Sequence, residues 1–133
     1  KQNIWLMTSL LALLSYHNVV NGQEVSRKSY AYFSLEPEIV TNYLGSSAKN
    51  SFVRVSIELM LENPDLLEVA EHHSPNEAAT IEVFGSRGAE EVSSLSGREN
   101  IRNICLEKLQ KLMLRETGSK IIKDVIFTKY LYF

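Results

Sequence analysis

Three sets of side chains in this sequence are of types that could do chemistry. His72 and His73 follow Glu68 at helical spacing, Cys105 is the single cysteine, and carboxylates pair at Glu36 with Glu38 and at Glu90 with Glu91. Adjacent residues on a helix diverge by about 100°, so His72 and His73 cannot comfortably share one ion. Glu68 with His72 makes at most a two-ligand surface pair, one short of even an open catalytic zinc site. Imidazoles held near the negative pole of a helix are the plainer reading.

Cys105 falls among regularly spaced apolar residues. A reactive thiolate wants an open, electropositive setting, so a buried structural thiol is expected. The carboxylate pairs have no aromatic pocket or basic partner beside them, and a solvated face accounts for them. Gly85-Ser86-Arg87-Gly88 has the shape of the GXXG clamp of KH domains, but its neighbours are acidic and a plain loop is expected. The chain has neither a Gly-x-Ser-x-Gly elbow nor a Walker loop. No catalytic residue, metal ligand or cofactor site is assigned, and an enzyme is not expected.

The 133 residues suit one domain, and 44% hydrophobic with 23% charged residues is a globular balance. Fourteen basic against 16 acidic residues give a net charge of −2, and the basic residues are scattered among glutamates. Nucleic-acid binding, which draws on a gathered basic stripe, is not expected. One cysteine excludes an internal disulfide framework.

The run IWLMTSLLALL, Ile4 to Leu14, follows Lys1 and precedes polar residues and Gly22. Its length covers about half of a ~30 Å hydrocarbon core. The pattern fits a secretory signal peptide ending near Gly22, and a short uncleaved anchor reaching Val20 is the rival; a buried core helix trails both. The expected division is therefore 1–22 as signal or anchor and 23–133 as one periplasmic domain.

The elements must come from the rest. Tyr30 to Leu44 is aromatic and β-branched, with Pro37 marking an edge or a break. Phe52 to Glu62 alternates: Val53, Val55, Ile57, Leu59 and Leu61 on one face, Arg54, Ser56, Glu58 and Glu62 on the other. A short turn-rich loop joins the two, which predicts an antiparallel hairpin. Asn63-Pro64-Asp65 reads as a helix start, and Ser74 with Glu77 has capping-box spacing. Beyond it, Thr80 to Phe84 fits either a helix carrying Ile81 and Phe84 inward or a short strand; helix is the expectation. Ser96 with Glu99 reads as a capping box for the strongest helix, whose stripe is Ile101, Ile104, Cys105, Leu109, Leu112 and Met113. Glu107 and Lys111 are spaced for a surface pair, and Gly118 for a left-handed cap. The closing IIKDVIFTKYLYF is a strand with Val125, Phe127, Leu131 and Phe133 on one side and the tyrosines on the other.

This order, β-β-α-α-α-β, predicts an α+β domain: a small, mainly antiparallel sheet of three or more strands with helices on one face. Tyr30, Tyr32, Tyr43, Tyr130 and Tyr132 all fall on strands. They suit a face that meets another protein and suit cross-strand packing equally.

The string YFSLEPEIVTNYL, then FVRVSIELML with NPD, HHSP, SLSGRENIRNICLEKLQKLM, ETG and the terminal IIKDVIFTKYLYF resembles the periplasmic domain of the FliL family. The resemblance runs from Tyr30 to Phe133. It implies an SPFH/stomatin-like fold, no enzymatic activity and no cofactor. It also implies a motility role at the bacterial flagellum basal body, on the inner membrane and in the periplasm. The implied partners are copies of itself in a ring-like homo-oligomer and a stator of the MotA/MotB type, contacted to support motor output in swimming and swarming. A periplasmic ligand-binding or surface-sensing module on the same fold is the alternative. Two departures from the family pattern stand out: the signal-like segment replaces a full transmembrane helix, and Asn76 to Gly88 is acidic where the family is apolar.

Overall fold

The structure, a computed structural model, describes residues 28–45, 51–73 and 77–133. The signal or anchor expected at 1–22, most of the hairpin loop and the Ser74 cap lie outside the described residues. The elements run β1 (Ala31–Asn42), β2 (Phe52–Leu61), α1 (Leu66–His72), α2 (Glu77–Gly85), α3 (Ala89–Ser93), α4 (Leu95–Thr117) and β3 (Ile122–Tyr132). The three strands form an antiparallel sheet in the order β1-β2-β3. This is the expected α+β architecture, with the short α3 added before the long helix.

The alternation of β2 decides which face is covered. Val53, Val55, Ile57, Leu59 and Leu61 are at most 2% exposed. Each such side chain contributes roughly 1.5–3 kcal/mol by leaving water. The helices supply the other half of this core through Val83 and Phe84 of α2, Val92 of α3, and Ile101, Cys105, Leu109 and Met113 of α4. Ile104 packs half-buried at its rim. In α2 the inward side chains are Thr80, Val83 and Phe84, whereas Ile81 is exposed. The helical reading of this stretch holds with Phe84 inward as expected, and Thr80 and Val83 take the place expected for Ile81.

The ends of the helices need two corrections. Helix α1 starts from Asp65 and not from Asn63, and no side chain caps its first turn. Asn63 Oδ1 accepts the Asp65 N–H at 3.0 Å, which secures the turn leading into α1. Helix α4 is capped by Ser94, not Ser96: Ser94 Oγ accepts the Gly97 N–H at 3.1 Å. The helix starts early because Gly97 lets its first turn lie against α3. A Cβ at Gly97 would sit 1.9 Å from the Glu91 carbonyl oxygen. At the other end Gly118 adopts φ 79°, the left-handed cap that glycine permits. Lys108 reaches across to Glu82 of α2 at 2.9 Å, and the expected Glu107–Lys111 pair is not among the described ion pairs.

The face assignment of β3 changes partway along. Ile57 pairs with Phe127 but Ser56 pairs with Lys129, so Thr128 is an extra residue. A bulge of one residue moves every later side chain to the opposite face. Tyr130 therefore faces the core beside Val55, and Leu131 lies outside beside Arg54, the reverse of the expected sides. Phe133 likewise lies with Leu131, its ring stacked on Phe52 at 4.7 Å.

Candidate interaction surface

The sheet is buried on one side by helices, and its other side is the most distinctive surface of the described residues. Along β2 this open side presents Phe52, Arg54, Ser56, Glu58 and Met60. The flanking strands add Tyr32 opposite Met60, Val40 opposite Arg54, Ile126 opposite Glu58 and Leu131 opposite Arg54. Tyr32 is 51% exposed, Val40 54% and Leu131 42%. Large apolar side chains gathered on one exposed face are the usual mark of a contact surface.

Electrostatics at the middle of this face are organised around Glu38. Three β1 residues, Glu36 to Glu38, oppose the single Ser56, which lets the Glu38 carboxylate reach over β2. Lys129 Nζ lies 2.8 Å from Glu38 Oε1 and Arg54 Nε 2.9 Å from Oε2. Ser56 Oγ donates to Oε1 at 3.3 Å. The Lys129 hydrogen bond, with Arg54 and Ser56 adding to it, outweighs desolvation and holds the carboxyl below the usual glutamate range. Glu38, expected as a bare solvated carboxylate, is thus the centre of a three-strand clamp, while Glu36 is exposed. The signal was present in the alternation of β2 and β3, but the pairing register needed to bring Lys129 beside Glu38 was not.

The free edges of the sheet are partly closed. Arg102 on α4 donates to the Asp124 carboxylate and to the Val125 carbonyl, and Gln110 Nε2 donates to the Ile122 carbonyl at 2.8 Å. Glu99 holds the same guanidinium and has its own carboxyl lowered by that hydrogen bond. On the β1 side the Leu44 N–H donates to the Arg87 carbonyl at 2.8 Å. Such cover reduces strand-to-strand association along an edge and leaves the broad face as the accessible part of the sheet.

The other chemistry-bearing residues are dispersed. Cys105 is buried in the core, and burial pushes its thiol up to about 12 despite Lys108 and Arg87 nearby. His72 and His73 end α1 exposed, His72 Nδ1 lying 2.9 Å from the Glu68 carbonyl oxygen. That contact engages Glu68 through its backbone, not its carboxylate. Gly85 to Gly88 is the turn between α2 and α3. Glu91 pairs with Arg87 at 3.4 Å, and Glu90 is exposed. Among the described residues no group of three or more His, Cys, Asp or Glu side chains is arranged to hold a metal. The tyrosines divide. Tyr32 is on the open face, Tyr43 Oη donates to the Phe133 carbonyl at 2.9 Å, and Tyr130 packs inward against Phe84 and Phe127.

In a comparison with protein families, the model of the flagellar basal body-associated protein FliL aligns with residues 32–132, nearly all of the sheet and every helix. The chain belongs to the FliL family. It is thereby placed with flagellar basal body-associated proteins. A search of curated proteins finds no significant match. The FliL region includes the Glu38 clamp, the β3 bulge and α4. It also includes α2. That helix buries Val83 and Phe84 and leaves Ile81 and Glu82 outside. Among the described residues no helix is long and apolar enough to cross a membrane.

Proposed function

We propose that this FliL protein is an accessory of the flagellar motor that works through protein–protein contacts at the basal body. Its partners are the stator, of the MotA/MotB type, and further copies of itself in a ring-like homo-oligomer. The domain sits on the periplasmic side of the inner membrane and supports motor output in swimming and swarming. No catalytic step is part of this role. The family match across residues 32–132 carries the reading. The open sheet face supports it, because the groups displayed there are of contact type: aromatic and aliphatic side chains around neutralised charges.

A ligand-binding or surface-sensing module would need room between helices and sheet. That space is occupied by Phe84, Leu59, Leu109 and Met113, each fully buried.

The test is a strain lacking the protein. It is expected to build flagella in normal number yet swim or swarm poorly when the motor is loaded. Motility equal to the parent under every load contradicts the reading.

A further inference from the structure

We propose that two copies of this chain pair face to face through the open side of the sheet, about a two-fold axis passing near Ser56. The inference deepens the self-association in the functional reading above, and names a contact distinct from a ring contact. A ring is built head to tail from two different patches, whereas a two-fold pair uses one patch twice.

The open side of β2 has a sequence that matches its own reversal. It reads apolar, cation, small, anion, apolar: Phe52, Arg54, Ser56, Glu58, Met60. Laid antiparallel on a second copy with Ser56 at the centre, each Arg54 meets a Glu58 and each Phe52 meets a Met60. The same rotation sets Ile126 beside the partner copy's equivalent of Leu131, because these residues flank Glu58 and Arg54 respectively. Aligned packing of two sheets at ~10 Å is a standard way to bury such faces.

Under this rotation Glu38 and Lys129, level with Ser56 on β1 and β3, face their own copies, each neutralised within its own chain. The opposite charges that meet across the axis are Arg54 and Glu58. Glu38 is held between Lys129 and Arg54, and Glu58 accepts from Ser34 Oγ at 3.5 Å. Arg54, Lys129, Glu38 and Glu58 together carry no net charge, so the paired faces bring together a balanced set. Unpaired like charges would have to be desolvated at a cost of several kcal/mol each. The size is adequate for a modest dimer. Three strands spaced ~4.8 Å and about 33 Å long give a flat footprint of roughly 450 Å², which side-chain relief enlarges toward the ~800 Å² per partner of a stable interface. Association is accordingly expected in the micromolar range.

The experiment is sedimentation equilibrium of the purified chain with E58R and R54E variants. The wild type is expected to associate reversibly, with the dimer as the first species above the monomer. Each variant alone makes the facing charges alike and is expected to weaken pairing at least tenfold. An equimolar mixture of the two restores opposite charges at both contacts and is expected to recover dimers of one copy of each. Recovery in the mixture also shows that both variants are folded. Three results overturn the proposal: a monomeric wild type at all concentrations, undiminished pairing of both variants, or no recovery on mixing. None of these bears on the motility of the deletion strain, so failure of the pairing and failure of the functional reading are told apart.

Discussion

Tyr130 donates its hydroxyl to the Val92 carbonyl at 2.8 Å, tying the last strand to the short helix α3. Its ring lies against Phe84 and Phe127, and the Arg98 guanidinium stands 4.7 Å above it. One side chain therefore joins β3, α2, α3 and α4. Replacing Tyr130 with Phe leaves a buried carbonyl without its donor and is expected to cost about 1–3 kcal/mol. Replacement with Ala removes the ring as well and should cost roughly 3–5 kcal/mol. Urea unfolding of the three proteins checks the order.

The bulge at Thr128 makes a sharper comparison between neighbours. Leu131 is on the open face and Tyr130 packs half-buried against the core, although a regular strand would put Leu131 inside with Val125. Leu131→Lys is expected to change stability by no more than about 0.5 kcal/mol, whereas Tyr130→Lys is expected to cost about 3–5 kcal/mol. Circular dichroism melts of the pair report the side on which each residue lies.

These residues also mark how far the sequence alone could be read. The β2 face, the stripe of α4 and the cap at Gly118 were legible because each is a local period or a local backbone demand. The exchange of Tyr130 and Leu131 was not, because a one-residue bulge leaves no mark in a strand that is apolar on both sides. The Ser94 cap was missed for a related reason. Ser94 and Ser96 both have capping chemistry, and the choice depends on a nonlocal contact of Gly97 with the Glu91 backbone. The clamp on Glu38 required the register of three strands, which spacing in one strand does not contain.

Gly97 is the tightest point between α3 and α4. Gly97→Ala improves helix propensity by up to about 1 kcal/mol, but the added carbon would overlap the Glu91 carbonyl. The overlap is expected to win, with a net loss of about 1–3 kcal/mol. Gly118→Ala meets no neighbour and is penalised by its backbone conformation alone, at about 1 kcal/mol. Thermal unfolding of both variants separates the two causes.

Cys105 gives a test in alkali. Its folded pKa is raised to about 12 by burial, so between its unfolded value near 9 and that point the folded chain holds a proton the unfolded chain loses. The thiol's contribution is complete below pH 9 and falls as pH rises toward 12. Cys105→Ala is expected to flatten the stability profile in this window while lowering stability at neutral pH. In the native protein the thiol should react with an aromatic disulfide reagent only as fast as the core opens, and at once in denaturant.

Glu38 titrates with the opposite sign. Its carboxyl is lowered, first by Lys129, so the clamp is intact above the unfolded glutamate value and is lost as pH falls through the folded one. Glu38→Gln is expected to remove part of the acid dependence of stability below about pH 4.5. Unfolding midpoints measured from pH 3 to 7 check it.

The central claim is that this FliL protein supports the flagellar motor through its uncovered sheet face. The most direct measurement is the spreading rate in soft agar of a deletion strain carrying either the wild-type gene or Val40→Glu, with protein abundance and flagellar number counted. The account predicts slow spreading without the gene, full recovery with the wild type, and little recovery with the variant at equal abundance and equal flagellation. Spreading of the deletion strain at the parental rate, or full recovery with Val40→Glu, contradicts it.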